Sequence, residues 1–116
     1  MAVHFATDRA SQLLEEFKAR INQSEEFGRI ETWHQSDDGV SYTHKDKDWK
    51  ERAWFRPRVE NDKLTFNIIR SSDWDASAAV YSFYHSEIIE TFLRYLDLRF
   101  EGAIITPRCS DGDEYQ

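Results

Sequence analysis

Residues 48–69 of the chain read DWKERAWFRPRVENDKLTFNII. Asn61-Asp62 is a two-residue turn signal. Folding the stretch about it pairs Glu60 with Lys63, Val59 with Leu64, Pro57 with Phe66 and Phe55 with Ile68. Side chains alternate across a strand, so the last three pairs form one continuous apolar face of a hairpin. The other face sets Trp54, Arg56 and Arg58 against Ile69, Asn67 and Thr65, and runs back through Arg52 to Lys50. One apolar side and one side of four cations and a tryptophan predict an antiparallel sheet covered on one face only. Pro57 has no N–H to donate, which predicts an unpaired flank or a bulge there.

On the N-terminal side, residues 29–35 and 40–45 read as two further strands around Asp37-Asp38-Gly39. A three-residue loop ending on a left-handed Gly39 pairs His34 with Tyr42 and Trp33 with Thr43, and sets Glu31 against Lys45. This register puts Trp33 on the same outer face as Arg52, Trp54, Arg56 and Arg58. Before the hairpin, Ala10, Leu13, Leu14, Phe17 and Ile21 recur at helical spacing after a Thr7 or Asp8 cap. After residue 70, Ser72 and Asp75 resemble a capping box, and a helix is expected over residues 74–98. Its apolar arc, through Val80, Tyr81, Tyr84, Ile88, Phe92, Tyr95 and Leu96, covers about half the circumference. Residues 103–106 can add a last strand. The expected fold is α+β, a two-layer sandwich. An antiparallel sheet of four to five strands in two hairpins carries an N-terminal and a long C-terminal helix on one face, in the order α-β-β-β-β-α(-β).

With 116 residues the chain reads as one domain over residues 1–107, followed by an acidic, flexible tail over 108–116. The net charge of −7 is unevenly spread. Residues 1–48 carry −4 and residues 71–116 carry −6, whereas residues 49–70 carry +3. The mean field therefore repels phosphate, and only the central hairpin attracts it. The single Cys109 excludes an internal disulfide and a zinc or iron–sulfur site built on paired thiolates. The N-terminus lacks the basic and apolar regions of a secretory signal, and no apolar run is long enough to span a membrane. A cytoplasmic setting without membrane contact is expected.

Three sets of residues are candidates for function. The first is the basic aromatic face of Trp33, Lys50, Arg52, Trp54, Arg56 and Arg58. Tryptophan and arginine are favoured anchors in protein interfaces, and rings in a cationic field also suit single-stranded nucleic acid. Without a partner, such arginines lie over tryptophan rings on a solvated face. The second set is His34, Tyr42, His44 and His85, which could line a small-ligand or catalytic pocket between sheet and helices. The third is Tyr81, Ile88, Phe92 and Tyr95, whose wide arc could form a homodimer face. No metal-ligand spacing, glycine-rich phosphate loop or nucleophile–base pattern is present, and neither a cofactor nor a metal is expected. These features point to a small non-enzymatic binding or regulatory protein of inhibitor, immunity-factor, adaptor or chaperone type, with a protein partner expected. Nucleic-acid binding and a ligand-binding or enzymatic pocket are the alternatives.

Overall fold

A computed structural model describes residues 1–71 and 77–114. Its elements run β1 Ala2–Ala6, α1 Ala10–Asn22, β2 Trp33–Gln35, β3 Tyr42–His44, β4 Ala53–Val59, β5 Lys63–Arg70, α2 Ala78–Leu96 and β6 Gly102–Ile105. The six strands form one antiparallel sheet in the order β2-β3-β4-β5-β1-β6, with both helices packed on one face. The fold is the expected α+β sandwich with one strand more than the expected maximum.

The hairpin of β4 and β5 has the register expected from its sequence, from Val59 opposite Leu64 through Pro57 opposite Phe66 to Phe55 opposite Ile68. The turn closes with the Glu60 N–H donating to the Lys63 carbonyl at 3.0 Å. On its other flank β4 meets β3 at Tyr42–Phe55, so Pro57, which lacks an N–H, lies beyond that pairing.

The extra strand is β1, which inserts between β5 and β6. Val3 and Phe5 are buried. Five residues at the chain start are too short a run to display strand periodicity convincingly. What settles the placement is Phe5, which stacks on Phe92 of α2 at 4.1 Å between ring centroids. Phe17 of α1 meets Phe66, Tyr42 and Phe92, so both helices close on the same aromatic core. Aromatic residues, 15% of the chain, are spent largely there.

The β2–β3 hairpin differs from expectation by one residue. Trp33 faces His44, His34 faces Thr43 and Gln35 faces Tyr42. Four residues, not three, form the loop: the Ser36 N–H donates to the Ser41 carbonyl at 2.8 Å. Inside it the Asp38 carboxylate takes bonds from the Ser36 hydroxyl and the Val40 N–H. A one-residue slip sends every side chain to the opposite face. Trp33 is accordingly fully buried rather than exposed, with its indole N–H donating to Thr91 Oγ1 at 2.9 Å.

Helix α2 starts later than expected. Ser77 is its cap, accepting from the Val80 N–H, and the capping box expected at Ser72 and Asp75 lies outside the described residues. Among the described residues no helix is long and apolar enough to cross a membrane.

Candidate binding face

Strand β4 presents Trp54, Arg56 and Arg58 on the face away from the helices, each half-buried, opposite Ile69, Asn67 and Thr65 of β5. This part of the expected face is assembled as the alternation requires. Lys50 and Arg52 are not on it, because β4 begins only at Ala53 and a turn precedes it. Glu51 in that turn has φ +60°, which breaks the alternation. A buried polar cluster holds the turn. The Tyr84 hydroxyl donates to the Trp49 carbonyl at 2.6 Å, while Thr43 Oγ1 donates to the Ala53 carbonyl and accepts from the Glu51 N–H. Arg52 lies over the Trp49 ring at 5.2 Å, and that ring stacks on Phe83 of α2. The cation–π arrangement expected of a solvated face therefore exists, but it belongs to the turn.

The surface around Arg56 and Arg58 is covered in part by the chain's own acidic C-terminal segment. Residues 108–114, expected as a loose tail, run along the sheet and make a defined set of contacts. Arg56 Nη2 reaches Glu114 Oε1 and the Gly112 carbonyl, each at 3.3 Å. Arg58 contacts Asp111 at 3.4 Å and Glu60 at 3.8 Å. Beyond the start of β1, where Ala2 lies opposite Asn67, Glu114 takes its place beside β5. The Glu114 N–H donates to the Ile68 carbonyl at 2.9 Å, and the Arg70 N–H donates to the Glu114 carbonyl at 2.7 Å. The bridge between Ile69 and Glu114 is parallel.

Asp113 anchors the segment. Its side chain is fully buried and pairs with the Met1 amine at 3.1 Å. It also accepts from Asn67 Nδ2 at 2.9 Å, from the Ile68 N–H at 3.1 Å and from the Ser110 N–H at 2.7 Å. The amine reaches Thr106 Oγ1 and the Arg108 carbonyl as well. Burial alone would push the Asp113 carboxyl up, but bonds from Asn67, Ser110 and the amine outweigh it and hold the group below its ordinary value. Gly112 beside it sits at φ +94°, and a Cβ there would lie 2.6 Å from Asn67 Oδ1. Only glycine meets both demands. The pairs made by Arg56 and Arg58 are solvent-exposed and worth less than about 1 kcal/mol each. Asp113 and the strand-like bonds therefore fix the segment, and the arginines only border it.

A polar chain continues along this face. His4 Nδ1 lies 2.8 Å from Thr65 Oγ1, which donates to Glu60 at 2.5 Å. That bond is the main cause holding the Glu60 carboxyl below its ordinary value.

The four pocket candidates are not brought together as a set; only His34 and His44 line one cavity, with Lys50 and Glu51. Tyr42 is packed in the core against Phe17, where burial pushes its hydroxyl up to about 12. His44 is buried, and both ring nitrogens are engaged: Nδ1 accepts from the Asp46 N–H, which leaves Nε2–H to donate to Glu87 at 3.1 Å. His34 is exposed, and His85 sits apart on α2. The expected dimer face is likewise divided. Ile88 and Phe92 are fully buried against the sheet, and only Tyr81 and Tyr95 are half-exposed. The broad arc of α2 is used inside the molecule, because β1 widens the sheet that the helix must cover. Among the described residues no group of three potential metal ligands converges.

Sequence reasoning missed Asn67, Asp111, Gly112 and Asp113. The Asp-Gly-Asp pattern was visible, but its partner Asn67 lies more than forty residues away, and only the β1–β5 pairing brings the chain ends to it. The chain matches no family model, no curated protein and no solved structure.

Proposed function

We propose that this is a small non-enzymatic binding protein that acts through protein–protein interaction, and that Trp54, Arg56 and Arg58 receive an acidic, extended segment of its partner. The observation that carries the reading is the manner in which residues 111–114 sit on the sheet. An acidic stretch lies along β5 by main-chain bonds while its carboxylates meet Arg56 and Arg58. This is strand addition with charged side-chain anchors, a common way of recognising peptides. Both arginine side chains stay about 40% exposed with the segment in place, which leaves room beside them for a second carboxylate. Trp54 beside them supplies an amphipathic ring. Nucleic acid suits the face less well, since only Arg56 and Arg58 stand on this face of β4 and a phosphate backbone is tracked by a row of cations.

The test is native mass spectrometry of the full chain purified gently from its own host, beside the Arg56→Ala/Arg58→Ala variant. A co-purifying protein mass with the wild type that is lost with the folded variant supports the reading. Retention of the same mass by the variant, or co-purifying oligonucleotide instead of protein, overturns it.

A further inference from the structure

On the helix side of the sheet, away from the Arg56–Arg58 face, a groove of about 360 Å³ lies between the first turns of α2 and the end of β6. Tyr81, Ser82 and His85 form one wall, and Ile105, Thr106 and Pro107 the other. His85 is only 5% exposed. Its Nδ1 stands 2.6 Å from the Tyr81 carbonyl, a main-chain acceptor, so Nδ1 carries the ring proton. Nε2 is then a bare acceptor. It is buried and has no hydrogen-bond partner among the described residues. Burial, reinforced by the positive Met1 amine nearby, lowers the ring to about 4 against the pull of the Met1 carbonyl, and keeps it neutral at physiological pH. A buried acceptor without a donor costs free energy that a suitable ligand recovers.

We propose that this groove binds a neutral, largely apolar small molecule carrying one hydroxyl or N–H group, which donates to His85 Nε2. The chemistry of the walls sets the class. Among the described residues no carboxylate lines the groove to hold a cation; Met1 also lines it, but its amine is already paired with Asp113, and the bare nitrogen lone pair repels an anion. The apolar surfaces of Tyr81, Ile105 and Pro107 suit a ring. A cavity of about 150 Å³ admits benzene, so this one has room for a substituted single ring. The proposal does not rest on the reading of the Arg56–Arg58 face as a partner-binding surface.

Phenol is the probe, and toluene, a similar ring without a donor, is the control. With the full chain labelled at histidine nitrogen, phenol should move the His85 Nε2 resonance saturably and leave His34 unchanged. Toluene should bind at least about tenfold more weakly, the usual effect of losing one hydrogen bond to a buried acceptor. Ser82→Trp or Ile105→Trp, each filling the groove from a different wall, should abolish the phenol shift in protein whose thermal unfolding is still cooperative. A phenol titration that moves no His85 signal, or equal affinity for phenol and toluene, overturns the proposal.

Discussion

Between pH 6.5 and 4 the imidazole of His85 takes up a proton in the unfolded chain but not in the folded one. Its folded value is depressed, so its stabilising effect is full above pH 6.5 and is lost as pH falls through that window. The loss amounts to about 3 kcal/mol at 1.36 kcal/mol per unit. Urea unfolding at several pH values should show this slope, and His85→Gln should remove most of it. The remainder is expected from His4, which burial also lowers. Asp113, depressed below its ordinary 3.8, adds a separate loss at still lower pH that the variant keeps. A single side chain also dominates the core. Phe92 meets Phe5, Phe17, Phe66 and Phe100, and Phe92→Ala should cost about 3–5 kcal/mol in the same unfolding experiment. Its place on the apolar arc of the second helix was legible in the helical spacing, but the width of that arc put Phe92 on the surplus expected for a dimer face. That surplus disappears once β1 adds a strand for the helix to cover.

At the scale of elements, the contrast between the two hairpins shows what local sequence determines. In β4 and β5 three apolar pairs and a two-residue turn agree on one register, and the structure has it. In β2 and β3 only Trp33 and Tyr42 are large and apolar, and polar neighbours fit either face. Requiring both rings on one face would have given the observed register, in which Trp33, Gln35, Tyr42 and His44 share parity. The side-chain bonds of Asp38 lengthen the loop by the decisive residue. The C-terminal segment was illegible for another reason: an acidic stretch looks solvated until a distant amide meets it. Two substitutions test its anchoring. Gly112→Ala should free residues 111–114, seen as faster amide exchange at Arg70 and Glu114 with the rest of the sheet still protected. Asp113→Ala should cost about 3 kcal/mol of stability, because it strips a buried carboxylate from the donors of Asn67, Ile68 and Ser110. Unchanged exchange and stability in both variants would mean the segment contributes nothing to the fold.

Across the whole molecule, charge and shape divide into distinct territories. The net −7 is countered on one side of the sheet, where Arg56 and Arg58 stand beside Trp54. The chain's own acidic end satisfies these arginines in part and leaves them partly open. The basic central hairpin was evident from sequence, and so was its outward direction. That Lys50 and Arg52 serve the turn, and that Trp33 serves the core, required the β2–β3 register and the start of β4. Because the remaining cations are few and bordered by carboxylates, partner binding should weaken only modestly with salt, unlike a phosphate-tracking surface. The most direct measurement is the native mass of gently purified protein from its own host, recorded for the wild type and for Arg56→Ala/Arg58→Ala. The account predicts a second protein in the wild-type complex and a bare chain in the variant. A wild type that carries no protein, or a variant that keeps it, would contradict the claim that this face binds.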